Sequence, residues 1–227
     1  MRKVLGLGLI LGALVVIGRT EEPYNYQKRE ATEWANISIA KATSDQLPRV
    51  LLIGDSISSR YSHTVGQELK DKAYLSLLAT SKPCGDPALI DLIKWVLRQN
   101  SYAVIHFNNG LHSGAGYTVE DYRQGFPEII ATLKRYAPGA KLIWATTTPC
   151  RGEAITKEVR ERNKIAAGFI EKEGIAVDDL YGLVTANAGN PKVLWDAGGT
   201  HYTEEGAALQ GRQVARSVLA LLPAPSP

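Results

Sequence analysis

Short apolar runs alternate with longer amphipathic segments along most of the chain. The runs are rich in Val, Ile and Leu and end at Gly, Pro or Asn, which predicts buried strands. The longer segments repeat apolar residues three and four positions apart, the spacing of one helix face. Predicted strands span residues 50–53, 73–79, 103–107, 141–146 and 175–177. Predicted helices span residues 61–70, 87–98, 118–136, 154–172 and 204–222.

Strands that alternate with helices favour a parallel sheet covered on both faces. We therefore expect an α/β fold, a three-layer α/β/α sandwich with a five-stranded parallel sheet, over residues 48–222. Residues 19–47 are polar with a loose helical spacing, and predict a lead-in segment that lays Trp34 and Ile37 against the domain. Residues 223–227 predict a frayed tail.

The first residues have the pattern of a targeting segment. Arg2 and Lys3 form a basic start, and an uncharged apolar run follows from Val4 to Ile17. This run is short for a membrane span and is typical of a bacterial signal peptide. Residues 1–18 are therefore interpreted as a signal peptide or, alternatively, an uncleaved N-terminal anchor. Either interpretation predicts an exported protein, periplasmic or secreted, and the second a membrane-anchored one.

Composition narrows the class of protein. The chain has 227 residues, a net charge of +3, 44% hydrophobic and 22% charged residues, which is ordinary for one globular domain. It has no basic stripe interleaved with aromatics, so no nucleic-acid partner is expected. It also lacks an HExxH motif, a spaced Cys/His set and a phosphate-binding loop, so neither a metal nor a cofactor is expected.

Two cysteines, Cys84 and Cys150, are present in a chain predicted to be exported. An even pair permits one disulfide in an oxidising compartment. Both fall at the ends of predicted strands, with no sign in the sequence that those ends adjoin. We therefore expect two free, buried thiols.

A serine stands where the first predicted strand meets the first helix. Ser56 follows Gly54 and Asp55 at the carboxyl end of that strand, the edge where sites gather in parallel sheets. The N–H groups that open the helix favour negative charge there, as an attack on a carbonyl requires. The alternative is an ordinary turn in which Ser56 only caps the helix.

A serine nucleophile needs a base, and the sequence offers four histidines. His201 lies in a Gly-rich loop just before the last helix, with an acid nearby, which suits a mobile base. His106 lies inside an apolar strand and predicts a hydrogen-bonded core histidine. His63 is interpreted as a surface or packing residue, and His112 as a residue that holds its loop.

Acyl transfer also needs donors for an oxyanion. The backbone N–H of Gly85 is one candidate, because nothing projects from its Cα. The side-chain amide of Asn108 or Asn109, after the third strand, is another. The alternatives are a helix-entry turn at Gly85 and an ordinary Asn/Gly turn at 108–110.

Four blocks of the sequence, taken together, resemble the SGNH/GDSL hydrolase superfamily, and within it a branch of exported bacterial esterases. The blocks are Gly54–Ser58, Cys84–Asp86, Ile105–His112 and His201–Gly206. The resemblance implies a flavodoxin-like sheet. It also implies that Ser56 is the nucleophile and an N–H donor, that Gly85 N–H is a second donor, and that the Asn108 amide is the third. A register one residue later would give Asn109.

One departure from the family concerns the third member of the catalytic triad. The family places an Asp three residues before the His, and that position here is Gly198. The nearest preceding acid is Asp196. Either Asp196 reaches the far nitrogen of His201 from a longer loop, or the site is a Ser–His dyad. We favour Asp196 as the third catalytic residue.

The resemblance implies a serine ester hydrolase that removes acetyl or other small acyl groups from carbohydrates through an acyl-enzyme. The expected partner is a small-molecule or polysaccharide acyl ester, and the sequence sets no oligomeric state. One alternative is a lipid acyl esterase or lysophospholipase. Another is a glycan-binding module whose catalysis is impaired by the altered Asp–His spacing.

Overall fold

The computed structural model describes residues 28–112 and 116–223. Residues 1–18 and most of the predicted tail lie outside them. The described strands are β1 (Ala35–Ile39), β2 (Arg49–Gly54), β3 (Tyr74–Thr80), β4 (Val104–Phe107), β5 (Lys141–Ala145) and β6 (Ala176–Asp178). The described helices are α1 (Ser56–Glu68), α2 (Pro87–Leu97), α3 (Val119–Tyr136), α4 (Glu153–Glu173), α5 (Leu180–Ala186) and α6 (Glu204–Leu219).

The strands form one sheet in the order β1-β3-β2-β4-β5-β6. Neighbours from β3 to β6 are parallel, and β1 pairs with β3 antiparallel. The predicted α/β sandwich is confirmed, but the sheet has six strands in the described residues rather than five. The added strand, β1, is an antiparallel edge strand, as many otherwise parallel sheets carry.

The lead-in segment has a loose helical spacing, yet part of it forms the strand β1. Its sequence, Ala-Asn-Ile-Ser-Ile, alternates apolar and polar residues with the period of a strand. The helical spacing of Trp34 and Ile37 overlaps this alternation in a short stretch. Pairing with β3 favours the strand over a helix, because it gives hydrogen-bond partners to the backbone N–H and C=O groups of β1. Trp34 and Ile37 do pack against the domain.

Alternate residues of the central strand β2 face opposite layers, and both are buried. Val50 and Leu52 join the core under α1 and α6, whereas Leu51 and Ile53 join the core under α2 and α3. A strand buried on both faces needs apolar residues at every position. This accounts for the unbroken run at 50–53.

The carboxyl ends of the parallel strands share one rim of the sheet. Ser56 follows β2, Asn108 follows β4, and the loop 146–150 follows β5. Helix α1 packs along α6, which brings the loop before α6 to the start of α1. No helix in the described part of the chain has the length and apolar character needed to cross a bilayer.

Candidate active site

Ser56 is the first residue of α1, and the turn before it is tightly built. The buried carboxylate of Asp55 caps the helix by accepting from the N–H of Ile57 at 2.9 Å. A Cβ atom at Gly54 would lie 2.0 Å from Oγ of Ser58, so the chain approaches the helix too closely for any side chain there. The turn after β2 therefore places the Ser56 hydroxyl at the N-terminal end of α1.

His201 lies next to this hydroxyl. Its Nε2 atom is 2.7 Å from Oγ of Ser56, across 145 positions of sequence. That is hydrogen-bond distance, the contact through which an imidazole takes a proton from a serine. The structure therefore brings the expected nucleophile and base together.

The loop that carries His201 is fixed to the segment after β5. Trp195 and Tyr202 form an isolated antiparallel bridge around the loop. The indole N–H of Trp195 and the hydroxyl of Tyr202 both donate to the carbonyl of Pro149, at 2.9 and 2.5 Å. Arg151 adds bonds from its guanidinium to the carbonyls of Asp196 and Ala197.

Asp196, the expected third catalytic residue, contacts α1 and its own turn. Its carboxylate forms an ion pair with Arg60 at 3.3 Å and accepts from the N–H of Gly198 at 3.1 Å. Among the described residues it makes neither a hydrogen bond nor an ion pair with the ring of His201. A tight turn from Asp196 to Gly199 contains the extra residues between Asp196 and His201. The carboxylate of Asp196 lies towards α1. The structure thus pairs Ser56 with His201 and joins the Asp196 carboxylate to Arg60 and Gly198; the role of Asp196 as the third catalytic residue stays a prediction.

Asn108 lies on the rim beside the nucleophile turn. Its N–H donates to the carbonyl of Ile53, and its side-chain Nδ2 donates to the carbonyl of Ala145 at 3.0 Å. A side-chain amide nitrogen carries two hydrogens, so a second one is available to an oxyanion. Asn109 points the other way, because its Nδ2 donates to the carbonyl of Lys82 in the loop after β3.

Gly85 lies in the turn between β3 and α2. It has φ +99° and packs against α3, where its nitrogen lies 2.5 Å from the Cβ position of Gly125. Neither Gly85 nor Asn108 is among the residues that line the cavity of Ser56 and His201. The turn leads into α2, whose first N–H groups are capped by the Asp86 side chain. This geometry fits the helix-entry turn, and the donor role of the Gly85 N–H stays a prediction.

Ser56 and His201 open into a cavity of about 760 Å³, a size usual for small-molecule sites. Its walls combine apolar side chains with two carboxylates, and its lining includes Glu30, Trp34, Leu111, His112, Cys150, Ile155 and Glu158. Within the described residues, no group of three or more His, Cys, Asp or Glu side chains is arranged to hold a metal ion.

No family model and no curated protein matches this sequence. Solved structures do. A lipase/acylhydrolase from Enterococcus faecalis superimposes with a TM-score of 0.62 at 18% identity, over 80% of this chain and 100% of that one. The inhibitor-bound aryl esterase of M. smegmatis superimposes with a TM-score of 0.62 at 15% identity, over 77% of this chain and 100% of that one. A mutant of Axe2, an acetyl-xylooligosaccharide esterase from Geobacillus, superimposes with a TM-score of 0.62 at 12% identity, over 75% of this chain and 94% of that one.

The chain has the SGNH/GDSL hydrolase fold. Within this SGNH fold, two supporting residues of α4 hold the rim. The guanidinium of Arg162 donates to the carbonyl of Gly110 at 3.0 Å and pairs with Glu158 at 2.8 Å. The side chain of Asn163 binds both the N–H and the carbonyl of Thr147. Helix α4 thus fixes the loops after β4 and β5.

Sequence periodicity alone misses this function of α4. The spacing of Glu158 and Arg162 predicts a solvated, self-paired helix face, yet Arg162 is only 2% exposed. Loop carbonyls lacking strand partners need donors from elsewhere, and α4 supplies them.

The other histidines support the SGNH architecture rather than the chemistry. His63 is exposed and bonds Gln67, as expected of a surface residue. His106 is fully buried, and its Nε2 lies 3.0 Å from Oδ2 of Asp178. His112 pairs with Glu30 at 2.7 Å and lies edge-on to Trp34. This last contact makes the segment before β1 a wall of the cavity.

Both cysteines are buried and free, as predicted. Cys150 lines the cavity beside Ser56. Burial, and secondarily the negative charge of Asp55, raises the pKa of the Cys150 thiol to about 11. At neutral pH this residue is therefore an uncharged part of the wall and not a competing nucleophile.

Proposed function

We propose that the protein is a serine ester hydrolase of SGNH type that removes acetyl or other small acyl groups from carbohydrates. The observation that carries the proposal is the 2.7 Å contact between Nε2 of His201 and Oγ of Ser56. A glycan-binding module with impaired catalysis has no use for this contact. The acetyl-xylooligosaccharide esterase among the structural neighbours supports the choice of substrate class.

The reaction begins when His201 takes the hydroxyl proton of Ser56 and Oγ attacks the ester carbonyl. The negative charge that develops on the carbonyl oxygen is held by the Ser56 N–H, at the positive end of α1, and by the free hydrogen of the Asn108 amide. His201 then gives its proton to the leaving sugar alcohol. An acyl group remains on Ser56.

Deacylation repeats the sequence with water. His201 takes a proton from the water, which attacks the acyl carbonyl, and returns the proton to Oγ as the acid leaves. Within residues 28–112 and 116–223, no carboxylate bonds the far nitrogen of His201. The loop orients the ring instead, through the Trp195 and Tyr202 contacts with Pro149.

A fluorophosphonate probe tests the proposed nucleophile, and acetate release from acetylated xylan tests the substrate class. We expect wild-type protein to be labelled at Ser56 and Ser56→Ala protein to be neither labelled nor active. Chromogenic esters of rising acyl length then separate the alternatives. A steep fall beyond acetyl supports the carbohydrate esterase, whereas faster cleavage of long acyl chains would identify a lipid esterase.

We further propose that residues 1–18 direct export. These residues lie outside the described part of the structure, so the proposal rests on their basic start and apolar run. Cell fractionation with mass spectrometry of the N-terminus tests it. A mature N-terminus near residue 19 supports cleavage, and an intact Met1 in the membrane fraction supports the anchor.

A further inference from the structure

We propose that the Ser56 cavity selects its substrates by charge. Glu158 and Glu30 favour acyl esters that carry an ammonium group, such as an O-acylated amino sugar, and disfavour anionic esters. This inference rests on the proposed esterase function, because it specifies which esters the site accepts.

The first observation is the charge of the cavity wall. Glu30 and Glu158 line the Ser56 cavity, and the other described residues of its lining include neither Lys nor Arg. The two histidines of the lining, His112 and His201, are positive only when they are protonated. Charges of one sign along a cleft with apolar walls focus their potential into it. A ligand in this cavity therefore meets a negative potential.

The second observation is the orientation of the pair between Glu158 and Arg162. The guanidinium of Arg162 lies 2.8 Å from Oε2 of Glu158 and also donates to the carbonyl of Gly110. Arg162 is buried, whereas the Glu158 side chain is half-exposed. The cation thus lies behind the wall and the carboxylate in front of it. A carboxylate has about four acceptor positions, so the bond to Arg162 leaves room for a ligand.

Glu30 adds a second carboxylate from the segment before β1. Its Oε1 lies 2.7 Å from Nδ1 of His112. A neutral imidazole makes this bond by donating its N–H, which leaves the negative charge of the carboxylate uncancelled. Trp34 lines the same cavity, and an indole attracts a cation that lies over its ring face.

Two arginines hold the base loop, but they do not line the cavity. Arg60 pairs with Asp196 and donates to the carbonyl of Tyr202. Arg151 donates to the carbonyls of Asp196 and Ala197. Both guanidinium groups are thus committed to protein partners and do not counter the carboxylates of the wall.

An ammonium group fits this wall. It is attracted by both carboxylates, and the apolar side chains between them strengthen the attraction by lowering the local dielectric constant. The ammonium of an amino sugar also donates hydrogen bonds to carboxylate oxygens. A substrate carboxylate or phosphate would instead be repelled by Glu30 and Glu158.

The test compares acetylcholine with its uncharged carbon analogue, in which a tert-butyl group replaces the trimethylammonium group. The readout is the ratio of the two kcat/KM values, because the two esters have nearly the same shape. We expect wild-type protein to prefer acetylcholine and Glu158→Gln to lower the ratio by about 2–5-fold. Glu30→Gln should lower it further in the double variant, and Glu158→Asp should retain part of the preference.

Glu161→Gln is the matched control, because Glu161 lies on the same helix but lines a different cavity. Its ratio should equal that of wild type. Equal ratios for Glu158→Gln and wild type would overturn the proposal, and so would a wild-type preference for the uncharged ester.

A calorimetric titration of Ser56→Ala protein separates this proposal from the esterase function. Choline should bind more tightly than its uncharged carbon analogue, and Ser56→Ala/Glu158→Gln should reduce that difference. If wild-type protein hydrolyses no ester yet shows this difference in binding, the esterase function fails and charge selection stands. If choline binds no better than the uncharged alcohol, charge selection fails whatever the esterase activity.

Discussion

The carboxylate of Asp196 forms an ion pair with Arg60, which lies one turn beyond Ser56 on α1. The same guanidinium donates to the carbonyl of Tyr202, the residue after His201. The helix that presents the nucleophile therefore also holds both sides of the loop that presents the base. The ion pair with Arg60 is thus the contact that the structure shows between Asp196 and the helix of the nucleophile.

Replacing Asp196 by Asn should reduce kcat/KM by less than about tenfold. The pair with Arg60 is partly exposed, and such pairs contribute up to about 1 kcal/mol. Loss of a triad aspartate costs about 10⁴ in turnover in the best-studied serine protease. Steady-state kinetics on a chromogenic acetate decide between these magnitudes, and a fall of several thousandfold would show that Asp196 contacts His201 during turnover.

Arg60 and Asp196 should behave as one unit in a double-mutant cycle. Arg60→Gln removes the same ion pair as Asp196→Asn, so the double variant should lose little more activity than Arg60→Gln alone. The exposed pair of Arg123 and Glu120 on α3 provides the control cycle, with no effect on kcat expected. Strictly additive losses at Arg60 and Asp196 would contradict the assigned contact.

Asn108 and Gly85 should respond differently to alanine. Asn108→Ala removes an oxyanion donor and should lower kcat by about 10²–10³. Gly85→Ala should instead lower stability by about 1–2 kcal/mol, because φ +99° strains any side chain. Turnover of the folded Gly85→Ala protein should remain within a few-fold of wild type.

Urea unfolding and kcat measured on the same Asn108→Ala and Gly85→Ala samples separate these effects. Asn109→Ala is the matched control for Asn108, because its amide bonds the Lys82 carbonyl instead. If Gly85→Ala lost as much kcat as Asn108→Ala, the position of the Gly85 turn would matter for turnover, because the substitution keeps the backbone N–H and can only displace it. A larger loss at Asn109 than at Asn108 would move the third donor by one residue.

Arg162 should matter more for stability than its partner Glu158. Arg162→Met leaves the carbonyl of Gly110 without its charged donor and should cost about 2–3 kcal/mol in the free energy of unfolding. Glu158→Gln should cost under about 1 kcal/mol, because its carboxylate side chain is 52% exposed. Equal losses of unfolding free energy for the two variants would mean that the ion pair of Arg162 with Glu158, and not the bond of Arg162 to the Gly110 carbonyl, provides the stability.

Cys150 should resist alkylation in the folded protein. Its pKa of about 11, against an ordinary 9, keeps the thiol protonated at pH 8. The thiolate fraction, and with it the rate of reaction with iodoacetamide, should be about 100-fold lower than that of an unshifted thiol. Peptide mass spectrometry over a pH series should show labelling that rises towards pH 11, and rapid labelling at pH 8 would contradict the shift.

The sequence predicts the layers of the fold well because its strongest signals arise from the core. The run at 50–53 must be apolar throughout, since both faces of β2 are buried. The edge strand β1 gives a weaker signal, because only one side of it packs and its few apolar residues fit two periods. Its conformation is set by pairing with β3, which no local pattern encodes.

The same distinction holds at the site. Ser56 and His201 were identifiable because the block around each has a fixed order of residue types, and the structure brings them within hydrogen-bond distance. The placements of Asp196 and Gly85 depend on where neighbouring elements lie. Arg60 attracts the carboxylate of Asp196, and the close approach of α3 takes up the space beside Gly85. Both are tertiary effects without a local sequence signal.

The carbonyl of Pro149 receives bonds from Trp195 and Tyr202, which lie on either side of the segment that carries His201. Because the next residue, Cys150, lines the cavity, the wall that would meet a ligand and the loop that carries the base share one main-chain anchor. A substitution at position 149 or 150 should therefore affect both the shape of the cavity and the position of the imidazole.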